Sequence, residues 1–120
     1  MVWLVRSQPN AQIHLAATVS ALALAGWLQI SGGEWCAILL AIGLVWGAEA
    51  LNSALEILAD HLAPEEHPLV GRAKDVAAGG VLVAAIVAIV VGLVVFGPRI
   101  ADWMAVGYNA REWRHVRWQA

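Results

Sequence analysis

The sequence predicts an all-α membrane protein with three transmembrane helices per protomer, and three observations carry that expectation. Of 120 residues, 61% are hydrophobic and 13% charged, and the mean hydropathy is +0.70, far from a soluble globular chain. The apolar residues gather into three runs, each long enough to cross a bilayer. Most of the seven tryptophans (3, 27, 35, 46, 103, 113 and 118) lie near the ends of those runs, at the depth of an interfacial aromatic belt. A chain of this length holds one domain at most. Its net charge of −2 gives no electrostatic footing for nucleic acid. The single Cys36 sits in an apolar run and can form no intrachain disulfide. Residues 1–9 lack the basic start, apolar stretch and small-residue site of a cleaved signal peptide.

The first span is expected over 13–30, interrupted only by His14 near its start, and Ser31-Gly32-Gly33 then makes a short turn. A second span, over 35–59, begins near Glu34 and carries polar residues toward its end. Residues 60–75 form the one long polar connection, with Glu65, Glu66, His67, Arg72 and Lys74. The third span, 76–96, has no charged or strongly polar residue, and Gly97-Pro98 is expected to end it. Gly43 and Gly47 form a GxxxG, and Ala77-Ala78-Gly79-Gly80 opens the third span. Such small residues permit close helix approach and suggest a tight bundle or an oligomer. The tail, 99–120, mixes Trp103, Met104, Trp113 and Trp118 with Arg111, Arg114 and Arg117. It reads as an amphipathic surface helix or as a disordered interfacial end. The domain division is therefore 1–98 for the membrane domain and 99–120 for the tail. Three spans place Arg6, Arg72 and Lys74 on one side and Arg99, Arg111, Arg114 and Arg117 on the other. That balance leaves orientation to function: a loop that handles nucleotide has to be cytoplasmic.

Chemistry enters with Ala48-Glu49-Ala50-Leu51-Asn52-Ser53-Ala54-Leu55-Glu56-Ile57-Leu58-Ala59-Asp60. On a helix, Glu49, Asn52, Glu56 and Asp60 fall at i, i+3, i+7 and i+11 and share one face. Ionisable groups in an apolar helix are costly, so a functional reading is the default. Glu49 and Glu56 are two turns apart, about 10 Å along the axis. They are too far apart to share one proton or one ion, but well placed for two tasks along one substrate path. A deeper carboxylate can act as general base, and one nearer the surface can hold a hard cation such as Mg²⁺. In the connection, Lys74 can neutralise a phosphate, while Asp75 can cap the third helix or hold metal. No GxxxxGK[ST], no GxGxxG after a strand and no kinase HRD or DFG set occurs. His14, His61, His67 and His115 lack ligand-like spacing to Cys or to one another, which argues against zinc.

The residues Ala48 to Glu56, followed by Asp60, Glu65, His67-Pro68-Leu69 and Gly71-Arg72-Ala73-Lys74-Asp75, closely resemble the prokaryotic diacylglycerol kinase family, which includes the undecaprenol kinases of Gram-positive bacteria. The shared pattern is E-x-x-N-[ST]-A-[IL]-E-x-x-x-D, a short loop with a histidine, then R-A-K-D and a small-residue start to the last helix. The likeness covers roughly residues 8–96. It implies a multi-pass lipid kinase of the inner (plasma) membrane, usually a homotrimer with active sites shared between subunits. MgATP would phosphorylate a lipid hydroxyl, of diacylglycerol or undecaprenol, at the cytoplasmic face. Carried over by position, Glu49 resembles the general base and Glu56 the carboxylate that holds Mg²⁺ beside ATP. Glu65, Glu66, His67, Lys74 and Asp75 lie where the family contacts nucleotide, with Asn52 and Asp60 supporting. Two departures accompany the likeness. Where the family usually carries a glutamate as a second metal ligand, the segment Gln8-Pro9-Asn10-Ala11-Gln12-Ile13-His14 offers Gln8, a carbonyl oxygen without charge. Only about seven residues precede Gln8 where the family has an N-terminal surface helix, so either the true start lies upstream or the chain is a reduced form. Two other readings compete: a non-catalytic paralogue with a structural or regulatory role, and a channel or proton-relay subunit using the carboxylate stripe.

Overall fold

The computed structural model describes residues 2–116, with 110–116 described by their backbone alone. The side chains of Arg111, Trp113 and Arg114, and Arg117 and Trp118 entirely, lie outside the described residues, and with them the tail's expected interfacial character. Four helices follow in order: α1 (Val2–Ser7), α2 (Pro9–Leu28), α3 (Gly32–Leu62) and α4 (Pro68–Val116). No strand occurs among the described residues. Three of these helices are long and apolar enough to cross a membrane, as the sequence predicts.

Each junction has a local cause. Gln8 separates α1 from α2 because the residue before a proline is pushed out of the helical region, here to φ −116°, ψ 116°. Pro9 then opens α2 at the position where a missing N–H costs nothing. At the other end Gln29 turns left-handed (φ 50°, ψ 55°), and Ile30 N–H closes the motif on Ala25 O at 3.3 Å. Ser31 caps α3, its Oγ accepting from Glu34 N–H. Between α3 and α4 the chain leaves helix only over 63–67. Pro68 begins α4, and His67 Nδ1 accepts the N–H of Leu69 at 3.2 Å.

Two expectations are corrected here. The polar connection is short, because 60–62 complete α3 and 68–75 open α4. Asp75 therefore lies inside α4, and His67 supplies the cap instead. Nor does Gly97-Pro98 end the third span: α4 runs through Pro98. The lost N–H bond at Pro98 is offset by ties beside it. Arg99 Nη2 donates to Glu34 Oε1 at 2.9 Å and Nη1 to Gln29 O at 3.4 Å. Beyond them Trp103 meets Trp27 edge-on at 5.3 Å.

Helices α3 and α4 form a long antiparallel hairpin, with α2 laid along it. The molecule is a rod of 80 × 24 × 24 Å, a length set by α4 at about 1.5 Å per residue. A buried cluster of Ala25, Ile30, Ile38 and Val95 ties the three helices at the Arg99 end. Toward the other end α3 buries Ile38, Ala41, Val45, Glu49 and Ser53 along one stripe, so the apolar face runs straight into Glu49. Large apolar side chains such as Leu40, Leu51 and Val76 remain about three-quarters exposed, which suits lipid or a second protomer and not water.

Candidate active site

Burial grades the polar stripe of α3. Glu49 is 2% exposed, Asn52 and Glu56 are half-buried, and Asp60 is exposed. At 31 residues α3 reaches about 46 Å, against an apolar thickness of about 30 Å, while its end stays paired with α4 through Asp60 and Lys74. Its last turns therefore stand beyond the hydrocarbon.

Glu49 and Asn52 open onto one cleft of about 280 Å³, together with Asn10 and His14 of α2 and Val81 and Ala85 of α4. Glu49 Oε2 and Asn52 Oδ1 are buried without a hydrogen-bond partner. A carboxylate and an amide carbonyl with open lone pairs, facing the same space, are ready to accept a proton or a hydroxyl hydrogen bond. The nearest charged or titratable group to Glu49 is His14, with Nε2 3.7 Å from Glu49 Oε2.

A second cavity, about 510 Å³, lies under the 63–67 turn, where Asp60, Glu65, Glu66, His67, Gly71 and Lys74 line it. Lys74 Nζ donates to Asp60 Oδ1 at 2.8 Å. That hydrogen bond first, then the charge of Asp60 and more weakly that of Glu56, hold Lys74, which precedes the apolar stretch 76–96, above the ordinary lysine range. Gly71 presents open backbone there, with nothing within 4 Å of where a Cβ would stand. Three carboxylates face one lysine on this wall, an excess of negative charge that repels a polyphosphate unless a cation accompanies it.

The fold thus brings Glu49 with Asn52 into one space and Asp60, Glu65, Glu66, His67 and Lys74 into another, with Glu56 on α3 between them. Asp75 is exposed and lines neither. Gln8 sits at the start of α2, half-buried, its side chain making no capping bond. Among the described residues no three of His, Cys, Asp and Glu converge as a ready metal cage. The hard carboxylate oxygens do suit Mg²⁺, which needs only one or two protein ligands when phosphate oxygens and water complete its shell. Sequence reasoning passed over His14, Asn10 and the Thr18–Trp46 bond. Asn10 and His14 stand in the family-like segment from Gln8 to His14, but nothing in the sequence marks them as facing Glu49.

Comparison with known proteins decides the family. Residues 1–96 match the family described as prokaryotic diacylglycerol kinase. The chain belongs to that family. It is 38% identical to the undecaprenol kinase of Bacillus subtilis (strain 168) over 95 residues, 79% of this chain and 77% of the relative. It is also 38% identical to the diacylglycerol kinase of Escherichia coli (strain K12), over 62% of this chain and 61% of that protein. The diacylglycerol kinase of Synechocystis sp. is 35% identical over 82% of this chain and 57% of its own length. No solved structure matches the chain. Membership makes this diacylglycerol kinase relative an enzyme of the lipid kinase class, embedded by its three apolar helices.

Proposed function

We propose that the chain transfers the γ-phosphate of MgATP to the hydroxyl of a membrane lipid of the diacylglycerol or undecaprenol class. The observation that carries this reading is Glu49, almost wholly buried with an unpartnered oxygen at a cleft between membrane helices. About two helical turns along α3 lies the carboxylate-lined cavity of the 63–67 turn. A lipid hydroxyl reaches the first space from the bilayer, and a nucleotide reaches the second from water.

In this reading Glu49 accepts the hydroxyl proton as the lipid oxygen bonds to the γ-phosphorus and ADP leaves. Asn52 accepts or orients within the same cleft. Glu56 would hold Mg²⁺, with Gln8 a possible neutral second ligand, and the cation would neutralise the triphosphate when bound. Lys74 presents its charge to the phosphates, Glu65, Glu66 and His67 contact the nucleotide from the cavity wall with Asp60 anchoring Lys74, and Asp75, outside the wall, would reach it only from the rim. Phosphoryl transfer asks for positioning and charge neutralisation more than for covalent chemistry, which this inventory meets.

The active unit is a homotrimer within the inner (plasma) membrane, its sites facing the cytoplasm, with residues 1–98 as catalytic domain and 99–120 as an appendage. The exposure of apolar side chains on α3 and α4 supports assembly. So does the outward placement of Gly43, Gly47, Gly79 and Gly80, where an added Cβ meets nothing within the protomer.

The test is phosphate transfer from γ-labelled ATP by membranes carrying the chain, against a panel holding diacylglycerol and undecaprenol. Transfer to one or both, lost on Glu49→Gln, supports the proposal and names the acceptor. Folded wild-type protein that labels no lipid and shows no thermal shift with MgATP is instead a non-catalytic paralogue.

A further inference from the structure

We infer that His14 is a positioning and proton-relay residue for Glu49. The inference rests on the kinase reading of Glu49 and extends it to a residue on a different helix. His14 Nε2 lies 3.7 Å from Glu49 Oε2, and the two side chains are only 16% and 3% exposed. That separation is just outside hydrogen-bond range, as acid–base pairs often are before substrate tightens them.

The ring is held in place from two directions. It stands edge-on to Trp46 of α3, with centroids 6.4 Å apart and planes at 68°. Trp46 Nε1 donates to Thr18 Oγ1 at 2.9 Å, and Thr18 Oγ1 donates to the carbonyl of His14 itself at 2.7 Å. Indole, hydroxyl and backbone form a brace that fixes both the helix turn and the imidazole on it.

Charge in the cleft singles out the pair. Around the space α2 contributes Asn10 and Ile13 besides His14, and α3 contributes Glu49 and Asn52. From α4 come Ala78, Val81, Leu82 and Ala85, and the adjoining groove that His14 also lines continues in alanine, valine, isoleucine and phenylalanine. Glu49 is thus the titratable group His14 faces, and His14 the one Glu49 faces.

The chemistry follows. As the lipid oxygen bonds to the γ-phosphorus, the bond from that phosphorus to the β–γ bridging oxygen breaks and ADP departs. The hydroxyl proton passes to a Glu49 oxygen. Glu49, buried without a hydrogen-bond partner on Oε2, has no solvent to discharge to. The Nε2 lone pair of His14 takes the proton, leaving an imidazolium beside a carboxylate. It then releases the proton to water at the cleft edge, one proton per phosphate transferred.

The experiment uses the full chain in lipid vesicles. His14→Gln keeps a polar side chain of similar reach but cannot carry a proton. Its kcat should fall about 10- to 100-fold, with KM for ATP and lipid within about twofold of wild type. The fall of kcat on the acidic side of its pH profile should be lost. Imidazole added to His14→Ala should recover part of the rate. Independently of turnover, the ¹⁵N titration of His14 followed by NMR should move when Glu49 becomes glutamine. A wild-type kcat and unaltered pH profile in His14→Gln overturn the relay, and a His14 titration indifferent to Glu49→Gln overturns the pairing. If wild type transfers no phosphate, the kinase reading fails by itself, and the titration still decides whether the two groups are coupled.

Discussion

Lys74 Nζ donates to Asp60 Oδ1 at 2.8 Å and so ties the last turn of α3 to the second turn of α4. The bond keeps the lysine at the cavity wall but occupies it with a carboxylate. Incoming phosphate has to compete for the same ammonium. Removing the charge should therefore weaken nucleotide more than it disturbs the fold, since Asp60 is 71% exposed and such pairs add little stability. Lys74→Met is expected to raise KM for ATP about tenfold, while Asp60→Asn, which frees the lysine, leaves it within about threefold. Steady-state kinetics at fixed lipid check both. Because its pKa is raised, the stabilisation Lys74 gains is complete below the ordinary lysine value of about 10.4 and is lost only as pH climbs through the still higher folded value. No alkaline loss of ATP affinity from Lys74 should appear below about pH 10.

Glu49→Gln preserves the shape of the side chain and removes the base. Its kcat should drop about 10²- to 10⁴-fold, with helix content by circular dichroism and oligomer size by gel filtration unchanged. A buried carboxylate required only for packing predicts the opposite pattern, a lost oligomer with residual specific activity.

The metal reading is tested by moving charge between two positions. Glu56→Gln should raise the Mg²⁺ concentration for half-maximal activity about tenfold, because one hard anionic ligand is gone. Gln8→Glu should lower it, restoring the charge that the family pattern carries there. The Gln8 side chain makes no capping bond, so the exchange breaks no hydrogen bond of the helix start. A Mg²⁺ titration of the two variants and wild type reads both shifts.

The three spans were legible because length and absence of charge are local properties that bilayer thickness reads directly. So was the two-turn separation of Glu49 and Glu56 along α3, which helical spacing alone sets. Arg72, Lys74 and Asp75 read as loop because charge ends a membrane run, yet helix α4 simply starts earlier, outside the hydrocarbon. Pro98 read as a terminator because its tolerance depends on Arg99 reaching Glu34 and Gln29 on other helices. His14 beside Glu49 had no local signature at all. Contact between helices distant in sequence decides it, and periodicity is blind to that.

Pro98 makes the next case. A proline within a helix lacks an N–H and crowds the preceding turn, at about 3 kcal/mol in a helix interior. Glu49 stands about 22 Å along α3 from Glu34, the residue Arg99 holds. Pro98→Ala should accordingly raise the melting temperature by several degrees in a thermal-shift scan and leave kcat and both KM values unaltered. A change in kcat would mean that the helix turn at Pro98 is coupled to Glu49.

Assembly can be separated from folding at Gly43. A side chain there meets nothing within 4 Å inside the protomer, and neighbouring Leu39, Leu40 and Leu44 are half or more exposed on α3. Leucine in its place adds apolar surface to a lipid-facing helix at no cost to the single chain. Where a second protomer packs against that GxxxG, however, the same side chain prevents the backbones from approaching. Gly43→Leu is thus expected to leave helix content intact, to reduce the cross-linked species from trimer to monomer, and to lower kcat if sites are shared between subunits. Gly26→Leu, also open within the protomer but on α2, serves as the control that keeps the trimer. Unchanged cross-linking in Gly43→Leu would remove α3 from the interface and leave the small residues Ala77 to Gly80 of α4 as the remaining contact surface.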